Sequence, residues 1–144
     1  MSKLIYLLGI SVLLFSCQNK VTEEQENTEP KEPLELYIPS EMALLMEQMY
    51  THNLQLKHQI TNDGELGEYP EQFDKIHTAE FTDPTDNDSF FQEHAQIYIE
   101  YQKDIYQSDH PEKAFNQMVD ACIQCHQVKC GGPITRIKKL YISR

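Results

Sequence analysis

The stretch "ACIQCHQVKC", residues 121–130, contains two cysteines three positions apart, a histidine directly after the second, and a third cysteine four residues later. All of it but Cys130 lies in the segment 108–129, where apolar side chains recur at the spacing of an α-helix. A proline near its start and a Gly-Gly-Pro sequence after it are typical of helix boundaries. On such a helix Cys122 and Cys125 lie one turn apart near the apolar face, with His126 beside them.

Three kinds of site can use this motif. Two thiols one turn apart can form thioethers with the vinyl groups of a haem, while the adjacent imidazole binds the iron. Zinc is a second interpretation, with nominal ligands Cys122, Cys125, His126 and Cys130. However, Cys125 and His126 point about 100° apart on a helix, which strains tetrahedral coordination. A disulfide is the third, but a redox Cys-x-x-Cys usually accompanies strands, and no strand pattern precedes it. The motif favours one covalent haem c per chain.

The remainder of residues 34–144 also has helical periodicity, which predicts an all-α domain. Further helices are predicted at residues 40–60, 70–81 and 89–107, with a short amphipathic segment at 134–142. Ser40 can cap the first of them. Short connections predict an antiparallel four-helix bundle with the haem near the C-terminal end of its last main helix, followed by a short C-terminal helix. Such a core is thin, so a bulky apolar cofactor would help to fill it.

The N-terminus has the features of a bacterial lipoprotein signal. Lys3 precedes an apolar run that ends in "LFSC", residues 14–17, so we expect residues 1–16 to be a signal peptide and Cys17 to be lipidated. Residues 17–33 are rich in glutamate and nearly devoid of apolar side chains, which predicts a disordered acidic tether. The expected location is the cell envelope, on the periplasmic or outer-membrane face, where the lipid anchors the protein to the membrane.

The charge distribution limits the functional classes. The chain has 23 acidic residues against 12 lysines and arginines, a net charge of −11, which argues against a nucleic-acid partner. Residues 129–144 are basic and lack acids, so they form either a solvated helix face or a positive field beside a buried anion such as a haem propionate. No paired carboxylates, nucleophile–base set or phosphate loop is recognisable, so we do not expect an enzyme.

A Cys-x-x-Cys-His motif in the last helix of a four-helix bundle resembles the class II c-type cytochromes, the cytochrome c′ family. The resemblance covers roughly residues 36–130. It implies thioether attachment at Cys122 and Cys125, His126 as the proximal iron ligand, and redox proteins as partners, with a homodimer through the first two helices as a further option. The extension "KCGGPITRIKKLYI" after the motif departs from the family, whose members usually end soon after the histidine.

The first helix of these cytochromes faces the distal side of the haem. Here it offers Met46, with Met49 and Met42 as alternatives, although methionines at helical spacing also occur as ordinary core residues. A methionine ligand implies a monohaem electron carrier. An apolar distal face implies five-coordinate iron that binds small gases, which is the alternative function. His52 would give bis-histidine iron, but as an isolated histidine it is expected at the surface or rim.

Cys130 has no predicted partner if Cys17 carries lipid and two other cysteines carry haem. One interpretation is a small buried residue that packs against Ile134. A second is that its thiol, or the backbone of the following Gly-Gly-Pro, accepts the second N–H of His126 and tunes the iron. A third is an intermolecular disulfide.

Overall fold

Three long α-helices make up most of the fold, and two 3₁₀ segments lie between the first and the second of them. The computed structural model describes residues 38–143, and within them the chain is all-α, without strands, as predicted. The α-helices are α1 (Glu41–Thr61), α2 (Ser89–Asp104), α3 (Pro111–Val128) and the single turn α4 (Ile134–Ile137). The 3₁₀ segments are Glu71–His77, Pro84–Asp86 and Lys138–Leu140.

The predicted signal peptide (residues 1–16), the lipidation site Cys17 and the tether (residues 17–33) lie outside the described residues. Between residues 38 and 143 no helix has the length and apolar character needed to cross a bilayer.

The starts of the long helices follow from local sequence. The Ser40 hydroxyl accepts a hydrogen bond from the Ala43 amide at 3.3 Å, which confirms the predicted cap of α1. The carboxylate of Asp88 accepts one from the Phe91 amide at 2.9 Å and caps α2 in the same way. Pro111 is the first residue of α3, where its missing N–H leaves no intrahelical bond unmade.

The predicted α-helix at residues 70–81 is wrong, because the segment forms a 3₁₀ helix over Glu71–His77 instead. Its buried side chains, Phe73 and Ile76, are three residues apart and therefore share one face of a helix with three residues per turn. The residue before the helix, Pro70, supplies no side-chain acceptor for the first amides. A seven-residue segment with two buried side chains buries too little apolar surface to offset the cost of nucleating an α-helix.

Helices α1 and α2 run in the same direction, since Ser40 at the start of α1 bonds Thr82 just before α2, and α3 runs antiparallel to both. Asp88, at the start of α2, contacts Lys129, which follows the last residue of α3, so these two helices are antiparallel. Near the middle of the fold, Asn53 of α1 contacts both Tyr98 of α2 and Met118 of α3. While α2 packs along α3, α1 approaches α3 over a much shorter stretch. This uneven packing opens a space between α1 and the α2–α3 pair.

The segment after α3 folds back across α1 and α3. The Lys57 ammonium donates to the carbonyl oxygens of Lys139 and Tyr141 at 2.9 and 2.7 Å. The side chain of Asn116 is buried and bonds both backbone groups of Ile142, accepting from its N–H at 3.0 Å and donating to its carbonyl at 3.1 Å. These bonds hold Ile137 and Leu140 in the core.

The bidentate contact of Asn116 gives a stability prediction. In Asn116→Ala the buried N–H and carbonyl of Ile142 lose their partners, so we expect a loss of ~2 kcal/mol in the free energy of unfolding. Urea denaturation of the purified protein measures it. The control, Gln124→Ala, changes an exposed residue of the same helix and should stay within about 0.5 kcal/mol of the parent. An equally small loss for Asn116→Ala would contradict the assigned role.

Candidate functional site

The space between α1 and the α2–α3 pair is a cavity of about 380 Å³, closed on one side by the segment around α4. This volume is typical of sites for small molecules and cofactors, which span roughly 300–1,000 Å³. The lining is mainly apolar. Its side chains that could bind a ligand or react include Met42, Met46, Met49, Asn53, His94, Tyr98, Cys122, Cys125, His126, Lys129, Cys130 and Arg136.

The α3 wall of the cavity carries Cys122, Cys125 and His126, all half-buried. Their spacing along the helix brings the three side chains to the same side, as the helical pattern predicts. The Cys122 sulfur lies 3.7 Å from the sulfur of Met118, one turn deeper in the core. None of the three cysteines in the described part of the chain forms a disulfide.

Both motif thiols are partly buried, which disfavours their charged forms. Burial raises the pKa of Cys122 to about 12, with a further contribution from Cys125. Burial likewise raises the pKa of Cys125 to about 11, with Cys130 contributing. Reactive thiols of redox sites have a lowered pKa, because the thiolate is the nucleophile. The two thiols therefore lack the electrostatic setting of a thiol–disulfide exchange site.

The imidazole of His126 is oriented by the chain that follows it. Its Nδ1 atom lies 3.0 Å from the carbonyl oxygen of Cys130 and 3.2 Å from the sulfur of the same residue. A carbonyl oxygen can only accept, so Nδ1 carries the proton and the free lone pair lies on Nε2. This is the tautomer in which a histidine can bind a metal through Nε2.

Cys130 is exposed, so the expectation that it is a buried residue packed against Ile134 is wrong. The helical bond from its amide to the carbonyl of His126 (3.2 Å) turns the backbone over the imidazole ring. Both its carbonyl and its thiol therefore face Nδ1, as expected from the hypothesis that Cys130 or the residues after it accept the second N–H of His126. The backbone oxygen belongs to Cys130 itself and not to the Gly-Gly-Pro sequence.

On the opposite wall, Met42 and Met49 of α1 are buried and Met46 is half-buried. The contact between Asn53 and Met118, at 3.8 Å, sets the register of α1 against α3. Met46 precedes Asn53 by seven residues and Cys125 follows Met118 by seven, a distance of about 10 Å along each helix. Because the two helices are antiparallel, Met46 lies level with Cys125 and with the adjacent His126.

His52 does not line the cavity. Its Nε2 atom lies 2.8 Å from the Tyr106 hydroxyl, and its ring contacts Phe73 edge-on at 5.2 Å between centroids. Burial lowers the pKa of His52, which favours the neutral ring. Its position agrees with the rim role that we expected for an isolated histidine.

Three lining residues were missed by the sequence analysis. Asn53 is 1% exposed and Tyr98 5%, and the Asn53 amide donates to the Tyr98 hydroxyl at 3.4 Å. That hydroxyl donates in turn to Gln102 at 2.9 Å. Asn53 Oδ1 has no hydrogen-bond partner among the described residues. The third is His94, whose Nδ1 donates to the Phe90 carbonyl at 2.9 Å.

The cations at the cavity rim are paired with carboxylates. Lys129 lies 2.7 Å from Asp88 and 3.7 Å from Asp86. Arg136 forms a bidentate pair with Glu47 and stacks over the Tyr50 ring at 3.8 Å. The hydrogen bond with Arg136 lowers the pKa of Glu47. With their charges matched in this way, the two cations give no support to a positive field beside a buried anion.

Among residues 38–143, no three His, Cys, Asp or Glu side chains converge in a way that could hold a metal ion. The four nominal zinc ligands of the sequence are thus not brought together as a tetrahedral set. Comparison of the chain with protein-family models, with curated proteins and with solved structures found no match.

The raised thiol pKa values predict an order of reactivity in protein made without haem maturation. At pH 8, N-ethylmaleimide should modify the exposed Cys130 first and Cys122 last, since little thiolate forms that far below a pKa of about 12. The rate at Cys122 should still rise about tenfold per pH unit between roughly pH 8 and 10. Peptide mass spectrometry measures both.

The same protein unfolded in urea is the control, and its cysteines should react at similar rates. Equal rates for Cys122 and Cys130 in the folded protein at pH 8 would contradict the raised pKa of Cys122.

Proposed function

We propose that the protein is a monohaem c-type cytochrome that transfers electrons in the bacterial cell envelope. Cys122 and Cys125 would hold haem c through thioether bonds, and His126 would bind its iron. The observation that carries the proposal is the composition of the cavity. One wall presents two thiols and an imidazole at Cys-x-x-Cys-His spacing, and the facing wall presents a methionine at the same level.

The residues fit this cofactor chemically. The lining is mainly apolar, as a porphyrin requires, and the thiols are half-buried rather than exposed. The Cys130 carbonyl favours a proton on Nδ1 of His126, which leaves Nε2 as the ring nitrogen that could bind iron. Asn53 provides an unpartnered buried acceptor at the deeper end, where an ordered water would satisfy it.

Met46 is the proposed sixth ligand, ahead of Met49 and Met42. Its level along α1 matches that of His126, and it is less buried in the core than the two neighbouring methionines. A bound haem supplies the one-electron chemistry of its iron. A thioether from Met46 raises the reduction potential relative to a second histidine and blocks access of exogenous ligands. The chain itself orients the imidazole of His126 through the Cys130 carbonyl.

The architecture we propose is a reduced form of the class II four-helix bundle. The 3₁₀ segment Glu71–His77 takes the place of the second helix, and its Phe73 and Ile76 enter the same core as the long helices. The segment after the motif, by which the chain departs from the family, contributes Pro133, Arg136, Ile137 and Leu140 to the cavity wall. It would cover one side of the haem.

A lipid at Cys17 and the acidic stretch that follows would let such a carrier reach between redox partner proteins while it stays at the membrane. The proposed role is electron carriage and not catalysis.

The covalent link can be tested by mass. Protein matured in a host with haem-attachment machinery should exceed the mass of the mature polypeptide by roughly 616 Da, the mass of one haem. Cys122→Ala/Cys125→Ala should abolish the increase, because no thioether can form. Cys130→Ala is the matched control and should keep it. A colourless wild-type protein without the added mass would refute the cytochrome proposal.

The sixth ligand can be tested by substitution. Met46→Leu should convert a low-spin spectrum, with its sulfur charge-transfer band in the oxidised state, into a high-spin one that binds CO on mixing. Met49→Leu and Met42→Leu are the controls and should leave the spectrum unchanged. If the wild type is already high-spin and binds CO at once, the gas-binding function replaces electron transfer. If Met49→Leu alone has the effect, the ligand is Met49.

A further inference from the structure

The end of α3 is attached to the start of α2 by an ion pair. The Lys129 ammonium lies 2.7 Å from Asp88 Oδ2, and its side chain is only 15% exposed. Asp88 uses its other oxygen, Oδ1, to cap α2 through the Phe91 amide. Asp86 lies 3.7 Å from the same ammonium. The Lys129 side chain is thus held by two carboxylates that belong to a different part of the chain.

This pair anchors the backbone that contacts His126. The last helical bonds of α3 run from the Lys129 amide to the Cys125 carbonyl at 3.0 Å and from the Cys130 amide to the His126 carbonyl at 3.2 Å. Beyond them the Gly131–Gly132 sequence gives the chain no side chains with which to pack. Helix ends fray when nothing outside the helix holds them. The ion pair holds Lys129, which directly precedes Cys130, the residue whose carbonyl contacts His126.

We propose that Lys129 and Asp88 are positioning residues for His126: their ion pair keeps the Cys130 carbonyl on Nδ1 and thereby sets the orientation and basicity of the imidazole. The effect on iron rests on the function proposed above. The effect on the orientation of the imidazole does not depend on haem. Loss of the group that accepts the other ring N–H of a metal-binding histidine typically changes metal affinity or activity by about 10- to 100-fold.

The pair can be broken without removing the helix cap. Asp88→Asn keeps a side-chain oxygen for the Phe91 amide, since asparagine caps helices as well as aspartate, but it loses the charge. Lys129→Met keeps an unbranched chain of similar length. Lys129→Arg retains the ion pair and should rescue the effect. Lys103→Met is a matched control, because Lys103 pairs with Asp74 at 3.2 Å and lines no part of the cavity.

The first readout is the Nδ1 proton of His126, observed by NMR in the purified, ¹⁵N-labelled, reduced protein. In the wild type and in Lys129→Arg it should exchange slowly with solvent. In Lys129→Met and Asp88→Asn it should exchange about tenfold faster or disappear, since water replaces the carbonyl. The double variant should match either single one, because both remove the same interaction.

The second readout is the reduction potential, and it separates positioning from simple charge. Losing the Nδ1–H bond makes the imidazole a poorer donor to ferric iron, so both single variants should shift the potential upward. A direct field effect would act with opposite signs, because a lost cation lowers the potential and a lost anion raises it.

The outcomes are distinct. Unchanged proton exchange in Lys129→Met and Asp88→Asn, with Lys103→Met also unchanged, would overturn the positioning role whether or not haem is bound. Faster exchange together with opposite shifts of potential would confine the role to the imidazole and overturn its transmission to iron. Faster exchange in protein without the added haem mass would support positioning of His126 while the cytochrome proposal fails.

Discussion

The distance between α1 and the α2–α3 pair is the constraint on which the site depends. At one end, Ser40 and Met42 bond the chain just before α2, through the Thr82 hydroxyl and the Glu80 carbonyl. In the middle, Asn53 meets Tyr98 and Met118. Between these two levels, no hydrogen bond or ion pair joins α1 to α2 or α3 in residues 38–143. The cavity occupies that interval, and the motif of α3 faces the methionines of α1 across it.

Helix periodicity accounts for most of what the sequence predicted. Ser40 and Pro111 marked helix starts because their effects are local, and the apolar spacing gave the inward faces of the three long helices. The 3₁₀ segment escaped prediction because a spacing of three residues fits both helix types when only Phe73 and Ile76 are buried. The contact of Cys130 with His126 was foreseeable as a hypothesis, but its exposure was not.

For two of the cavity residues that were not predicted, Asn53 and His94, the sequence did contain a signal. Asn53 follows Met49 by four residues and precedes Leu56 by three, so it occupies a core position of α1 despite its polarity. A polar residue at such a position needs an internal partner or a ligand. His94 likewise lies between Phe91 and Tyr98 on the inner face of α2. By contrast, the pairing of Lys129 with Asp88 joins residues 41 positions apart, and only the folded chain reveals it.

The segment that closes the cavity is synthesised after the motif that it covers. Its contacts with α1 and α3 are made by side chains that precede it in the chain. Lys57, Asn116 and Glu47 bond groups that lie between Arg136 and Ile142. Without Pro133, Arg136, Ile137 and Leu140 in place, the cavity would lose one wall and the motif would lie in a groove between α1 and the α2–α3 pair. A group as bulky as a cofactor would therefore enter the cavity more easily before this C-terminal segment docks than after it.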